Sequence, residues 1–585
     1  MRNGEIAEAF EELASLYELD GAVVYRVLAY RNAAKSIREA GVSVEEMARE
    51  GRAEELAGIG KTIAEKIVAL LDTGSIPSAD KLKRRIPSGL IEVTRLPGLG
   101  PKRARALHQQ LGITSLDDLR KAAEDGILEN VPGFGPKAQE NVRLALAAGA
   151  DGRAKPRLLL SKALVVGEDI VAALRKHPAA ERAELAGSAR RMTDTCKDLD
   201  VVVASNDPAA IAKAFADLGE VDAVHSAGEA GSRAVTHSGL PVDLRVVAPE
   251  NFGNLLQHLT GSGRHNEAMR TEAVKRGLHV SEYGVADDES GETHACATEE
   301  QVYELLGMQW IPPELREDRG ELQAAREGRL PELVTVEELR GDLHCHTTTS
   351  DGRNSLREMA EAALARGYEY LAITDHSASH GFGNDVQPDE LRRQIERVRA
   401  ANEELEGIEL LAGSEVNVLP DGTLDYDDEL LGELDWIVAS VHTSFRMSER
   451  EMTDRMLAAM EHPLVDAIGH PTGRMLGRRE PYSLDLGRLI EAAARTGTLL
   501  EINANPNRRD LPDVEARAAA ETGVKLVINS DAHGVGTLAN ARYGVATARR
   551  AWLTREHVAN TRPWPELDRL RKRALGAGAE GPDDV

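Results

Sequence analysis

Apolar positions change period several times along the chain. Over residues 1–75, Ile6, Phe10, Leu13 and Leu16 recur at helical spacing, which predicts short helices. From 155 to 250 the pattern turns strand-like, with apolar runs at 200–204 (DVVVA) and 242–247 (VDLRVV). Residues 312–340 are rich in Pro and Glu and show no apolar period before Leu333, which predicts an inter-domain linker. Beyond 340, apolar runs at 370–374, 408–412, 436–441, 464–468, 498–502 and 525–529 alternate with helical stretches such as 386–406 and 484–496. That alternation predicts parallel βα units closing into a barrel. A chain of 585 residues exceeds one core, so about three to five domains are expected.

Composition narrows the class. Apolar residues make up 42% and charged residues 29%, as in soluble globular proteins. No apolar run reaches the roughly 20 residues of a membrane span. The segment MRNGEIAEAFEELA reads as an acidic amphipathic helix and not as a signal peptide. Cys196, Cys296 and Cys345 lack CxxC spacing, which fits a reducing compartment. A cytoplasmic monomer without membrane contact is the expectation. The net charge of −26 argues against a protein that coats DNA along its length. Residues 81–158, however, hold 15 Lys and Arg against 8 Asp and Glu.

That basic stretch contains two copies of a small motif that occurs three times: Gly58-Ile-Gly60-Lys61, Gly98-Leu-Gly100-Pro-Lys102 and Gly133-Phe-Gly135-Pro-Lys137. Each precedes a helical pattern. Such a turn exposes backbone N–H groups that suit a phosphate. A single copy would more often be a simple connection between helices. Three copies, each followed closely by Lys, resemble the helix-hairpin-helix motif of DNA repair proteins, which grips the sugar-phosphate backbone without reading sequence.

Asp198 and Asp200 open a strand at i, i+2, so their carboxylates share a face. Such a pair can hold two hard cations about 4 Å apart. Gly187 and Ser188 precede them at a turn, where N–H groups, the hydroxyl and Arg191 suit a triphosphate. Asp243, on its own apolar strand, is the candidate third carboxylate. A lone Asp-x-Asp is usually a solvated strand end. Here the upstream Gly-Ser makes it informative. The region resembles the family X DNA polymerases, of the DNA polymerase beta type. Leu259-Thr-Gly261-Ser262, with Asn266, Met269 and Arg270, resembles that family's nucleotide-binding segment. The resemblance implies that Asn266 faces the minor-groove edge of an incoming nucleotide. It also places Lys66 on the Schiff-base lysine of a lyase domain. His258-Leu259 stand where the animal enzyme has an aromatic pair that excludes ribose, and Lys61-Thr62 transpose the lysine that usually follows the lyase hairpin.

The segment 341–585 holds nine of the 17 histidines. His344 and His346 lie at i, i+2, and Asp351 follows in a turn. His376, Glu415, His442, His470, Asp531 and His533 each sit in or just after an apolar run. Strand C-termini of a parallel barrel converge on one face. These nine donors suit two or three borderline cations such as Zn²⁺ or Mn²⁺. Any one of these histidines alone would more often be a core or surface residue. The order matches the PHP (polymerase and histidinol phosphatase) family, and a PHP domain after a family X polymerase is the bacterial arrangement. His380 and His462 fit no ligand position and read as surface residues.

The combined resemblance implies helix-hairpin-helix domains at 1–80 and 81–154, an α/β nucleotidyltransferase palm at 155–250 and a nucleotide-binding subdomain at 251–318. A linker at 319–340 and a distorted (β/α) barrel at 341–585 complete it. It implies Mg²⁺-dependent addition of dNTPs to gapped or primer-template DNA, with 3′–5′ exonuclease activity. Abasic-site or 3′-phosphate cleavage is a further expectation. Two rival readings fit the residues less well. A PHP small-molecule phosphatase with a degenerate polymerase has no use for three DNA-gripping turns. A non-catalytic scaffold would have lost carboxylates or histidines, and none is missing.

Overall fold

The computed structural model describes residues 1–573 except 41, 88, 95, 97, 98, 100, 132, 133, 136–138, 140, 141, 144, 145, 147–156, 229, 230, 382 and 383. The chain forms two compact units. One comprises 1–158, 162–185 and 197–252; the other comprises 159–161, 186–196 and 253–585.

The first unit begins with helices Asn3–Asp20 and Val24–Glu39. At 18 and 16 residues they are longer than the short helices expected. The apolar repeat from Ile6 to Leu19 runs uninterrupted until Gly21, whose φ of +84° gives the left-handed turn that ends the first helix. Ile6, Phe10, Leu13 and Leu16 are fully buried in one core with Val27, Tyr30 and Ile37. Further helices, including Lys61–Thr73, Pro101–Leu111 and Leu116–Glu124, extend that core. The same unit contains a five-stranded sheet ordered Arg182–Leu185, Leu199–Ala204, Pro241–Val247, Gly231–Thr236, Val221–Gly228. Only the pairing of Leu199–Ala204 with Pro241–Val247 is parallel.

In the second unit, helix Gly263–Val274, a three-stranded antiparallel sheet and helix Glu299–Leu305 enclose Met269, Val285, Val302 and Tyr303. The stretch expected as a linker differs from expectation. It contains helix Glu321–Arg326, and Leu322, Ala325 and Leu333 join that same core. Its anchor is polar and so leaves no apolar period. The buried Glu321 carboxylate lies 2.6 Å from His265 Nδ1 and accepts from the N–H groups of Asp318 and Arg319.

Seven parallel strands follow in sequence order: Gly341–Cys345, Tyr370–Ile373, Glu409–Asn417, Trp436–Ser440, Ala467–Ile468, Leu499–Asn503 and Leu526–Asn529. A parallel bridge between Cys345 and Ala532 joins the first strand to the end of the last, so the barrel nearly closes. Tyr370, Leu411, Trp436, Val438, Leu499 and Val527 form one apolar cluster, and a larger cluster packs the strands against helices such as Leu356–Leu364 and Leu486–Thr496. Burial on both faces explains why these strands read as continuous apolar runs.

Candidate active sites

In the first unit, Asp200 and Asp243 are direct partners on the two parallel strands. Val201, Val203, Leu244 and Val246 alternate with them and are buried, so both carboxylates lie on the more open face. Asp198 precedes that face by two residues. Arg233 and Arg245 each approach Asp243 to 3.3 Å, and Lys197 lies 3.9 Å from Asp198. These cations partly neutralise the two carboxylates they approach.

The first Gly-x-Gly turn is also in this unit. Gly58 takes φ +79°, and Gly60 caps the helix Lys61–Thr73 that carries the half-buried Lys66. Gly135 accepts from the Gln139 N–H. Gly98, Gly100, Gly133 and Lys137 lie outside the described residues, as does the Lys102 side chain.

The second unit carries the Gly187-Ser188 turn. Gly187 adopts φ +61°, a conformation that favours glycine. Ser188 is half-buried, and its carbonyl accepts from the N–H and hydroxyl of Thr193. Several residues expected to contact a nucleotide are instead committed within the protein. Arg191 spans the Glu317 carboxylate at 3.0 Å and the Thr260 carbonyl at 2.8 Å, which corrects the expectation of a guanidinium facing a triphosphate. Asn266 donates to the carbonyls of His258 and Gly261 and accepts from Gln257, so its amide is used in holding the turn. The Ser262 hydroxyl caps helix Gly263–Val274 through His265 N–H. Gly261 is glycine because a Cβ would stand 2.3 Å from Asn266 Oδ1.

The barrel rim gathers all nine predicted donors. His344 and His346 end the first strand, His376 follows the second and bridges to Glu415 on the third, and His442 and His470 follow the fourth and fifth. Asp531 and His533 follow the last strand. Donor atoms fall into three groups, each within 4.8 Å: His346, Asp351, His376 and His533; His344, His346 and Asp531; and His376, Glu415 and His442. Glu415 lies at the centre, 2.8 Å from His376 Nδ1, 2.8 Å from His470 Nε2 and 3.3 Å from His344 Nε2. His470 and Asp531 have φ of +30° and +52°, strained values for residues with side chains.

The protein alone does not satisfy these groups. His344 Nε2, both nitrogens of His346 and His442, and Glu415 Oε2 are buried without a hydrogen-bond partner. Buried polar atoms normally have partners. Divalent cations fit the donor set and supply what the hydrogen-bond network lacks. Burial, with His533 and His376 nearby, pushes His346 down to about 3, which keeps its ring neutral as a ligand requires. Burial would raise Glu415, but His442, His344 and His376 hold it well below the usual carboxylate range.

Sequence reasoning missed several neighbours. Glu501, fully buried on the sixth strand, lies 2.7 Å from His344 Nδ1, turning Nε2 toward Glu415 and Asp531. A lone Glu inside the apolar run LLEIN was its only signal. Arg508 Nε approaches Asp531 Oδ2 to 3.5 Å, and its buried Nη1 has no hydrogen-bond acceptor. His380, expected at the surface, is fully buried and stacks 4.3 Å from His376. Asp425 draws the 377–380 loop inward by accepting from Ser377 and Ser379. His462 is half-exposed beside Asp428. Cys345 points away from the rim, with Sγ 3.3 Å from the Ala372 carbonyl. Among the described residues, no helix is long and apolar enough to cross a membrane.

Known families match in the same order as these regions. A helix-hairpin-helix domain matches residues 1–76, a SAM-like helix-hairpin-helix tandem 90–148, a DNA polymerase beta thumb 255–317 and a PHP domain 342–505. The chain is 37% identical over 575 residues to a Bacillus subtilis protein named DNA polymerase/3′-5′ exonuclease PolX, covering 98% of this chain and all of that one. A probable phosphatase of Thermoanaerobacter is 28% identical over 257 residues, covering 41% of this chain and 97% of its own. A probable phosphatase of Caldanaerobacter subterraneus is 31% identical over 203 residues, covering 33% of this chain and 75% of its own.

Proposed function

The chain belongs to the family X DNA polymerases that carry a C-terminal PHP domain, and from that premise we propose how its two metal-dependent sites divide gap-filling repair. The Asp198, Asp200 and Asp243 face adds nucleotides from dNTPs. The barrel rim removes them from a 3′ end. The observation that carries the second assignment is the buried set of histidines and carboxylates in which His344 Nε2, both nitrogens of His346 and His442, and Glu415 Oε2 have no hydrogen-bond partner within the protein.

For addition, Asp198 and Asp200 would hold Mg²⁺ with the triphosphate, and Asp243 would serve the primer 3′ oxygen. That oxygen attacks the α-phosphorus and pyrophosphate leaves. Gly187 and Ser188 offer N–H groups and a hydroxyl to the phosphates. The Gly-x-Gly turns hold the DNA backbone, and Lys66 is the candidate lyase amine.

For removal, the nine rim donors would hold two or three divalent ions such as Zn²⁺ or Mn²⁺. Bound there, the ions supply Lewis acidity that lowers the pKa of water and offsets phosphate charge. Glu501 fixes the His344 ring. Arg508 Nη1 donates no hydrogen bond within the protein and is available to donate to a non-bridging phosphate oxygen. Attack by water at phosphorus breaks the P–O3′ bond. A nucleoside 5′-monophosphate leaves, and the shortened strand ends in a 3′-hydroxyl. The phosphatase relatives of the barrel support a second activity on 3′-phosphate ends, and abasic-site cleavage is kept as a further substrate.

The test is one gel. Wild type, Asp200→Asn and His344→Ala are given 5′-labelled primer-template with dNTPs, and separately a 5′-labelled single strand and a 3′-phosphorylated strand. Asp200→Asn should lose extension and keep degradation, and His344→Ala the reverse. Normal extension by Asp200→Asn, or normal degradation by His344→Ala, overturns the corresponding assignment.

A further inference from the structure

The turn 186–194 is held from two sides. From residues 253–317, Arg190 and Arg191 reach their acceptors: Glu299 takes both terminal nitrogens of Arg190 at 2.8 Å, and Glu317 takes Arg191. From the barrel, three arginines reach the turn itself. Arg550 Nη1 donates to the Arg191 carbonyl at 2.9 Å and to Glu317. Arg509 Nη2 donates to the Met192 carbonyl at 3.0 Å, and its Nη1 lies 3.2 Å from Asp194 Oδ1. Arg474 Nη2 lies 3.0 Å from Asp194 Oδ2.

These are not loose surface pairs. Arg509 is 1% exposed, and its Nε donates to the Thr547 hydroxyl. Arg550 is 8% exposed and braced by Asp513. Met192, whose carbonyl Arg509 holds, has φ +56°. Such a backbone persists where surroundings over-determine it, and such strain is typical of functional turns. The constraint passes on to Ser188, because Thr193 donates to the Ser188 carbonyl through both its N–H and its hydroxyl.

We propose that Arg509, a barrel residue, is a positioning residue for nucleotide addition. Acting through Met192 and Asp194, it fixes the turn that presents Gly187 and Ser188. The inference rests on the reading of that turn as the triphosphate site. It also gives the barrel a part in synthesis separate from its own chemistry. Arg508, one residue earlier, faces Asp531 in the other metal site. A single peptide bond therefore separates a side chain of one site from a support of the other.

The full-length chain is assayed for single-nucleotide gap filling, reading kcat and KM for dNTP, with melting temperature recorded alongside. Arg509→Met and Asp194→Asn should each raise KM about tenfold while changing kcat less than about threefold, since a misplaced binding group loses ground-state and transition-state contacts alike. Arg509→Lys should fall between, retaining charge without the fork. Asp194→Asn guards against misfolding, because Asp194 is one-third exposed. Arg571→Met, which removes a buried barrel arginine paired with Asp466, is the control for general destabilisation and should leave KM unchanged. Unchanged KM in both Asp194→Asn and folded Arg509→Met overturns the proposal, as does an equal KM rise in Arg571→Met. Ser188→Ala separates the two levels. If it raises KM while the Arg509 and Asp194 variants do not, only the positioning role falls. If Ser188→Ala also leaves KM unchanged, the reading of the turn falls with it.

Discussion

Glu299→Gln tests the energetics of the clamp around the Gly187-Ser188 turn. Glu299 is 4% exposed and accepts from Arg190, Arg316 and the Trp310 indole. Burial would raise its pKa, but Arg316 and Arg190 outweigh burial and lower it from 4.5 to about 2. That displacement corresponds to about 3 kcal/mol of folded-state stabilisation. The sign follows from the lowered value. The stabilisation is fully present above pH 4.5 and is lost as pH falls toward 2. Glutamine does not titrate, so the two proteins should differ by about 3 kcal/mol at pH 7, by less than about half of that at pH 3, and converge only as the pH falls to 2 and below. Urea unfolding at pH 7, 5, 4 and 3, followed by tryptophan fluorescence, reads the difference directly. A gap below about 1 kcal/mol at pH 7, or one of equal size at pH 7 and pH 3, would refute the reasoning.

Other expectations are sharper in outcome than in magnitude. Asn at Asp198, Asp200 or Asp243 should each abolish extension and leave end degradation intact, because the two carboxylate sets hold different cations. On end-labelled strands, His344→Ala and Asp531→Asn should lose degradation, whereas Cys345→Ala should retain it; chelator should abolish wild-type degradation and Mn²⁺ restore it. Double replacement of Lys102 and Lys137 by Ala should weaken DNA binding evenly across sequences and lower the salt slope by about 2, as measured by fluorescence anisotropy. With His258 in place of an aromatic barrier, incorporation should favour deoxyribonucleotides over ribonucleotides by less than about a thousandfold in a gap-filling competition.

Six strands of the barrel and the donors that follow them are legible because each of those strands shows an apolar run, and the parallel topology gathers their ends; the first strand, Gly341–Cys345, shows no such run, and His344, His346 and Asp351 are read from the His-x-His spacing and the turn after it. Asp200 and Asp243 were legible for the same reason, as polar residues on apolar strands. What stayed hidden lacked such a frame. Glu501 is a single carboxylate inside a buried strand, and only the His344 ring opposite it explains its presence. His380 follows no strand end, and the hydrogen bonds to Asp425 that draw its loop inward join residues about 46 apart in sequence. Residues 321–333 looked like a linker because the His265–Glu321 pair that anchors them is polar. The partners that Arg191 and Asn266 have within the protein were not legible, since side chains able to bind a phosphate or a base are equally able to bind Glu317 or a carbonyl.

The rim donors include residues from the first strand of the barrel and from the last. His344 and His533 are nearly two hundred residues apart, and Asp531 follows the strand that completes the circle. The destructive activity therefore cannot exist on a growing polypeptide until translation has passed residue 533. Asp198, Asp200 and Asp243 leave the ribosome much earlier. A chain truncated before the final strand would also lack Asp531 and His533, two of the nine rim donors. An ion held by either of the two donor groups that contain His346 would clasp the beginning of the barrel to its end, since His533 or Asp531 completes each of them. Stripping the ions should accordingly expose the whole ring of strands to proteases, well beyond the rim itself.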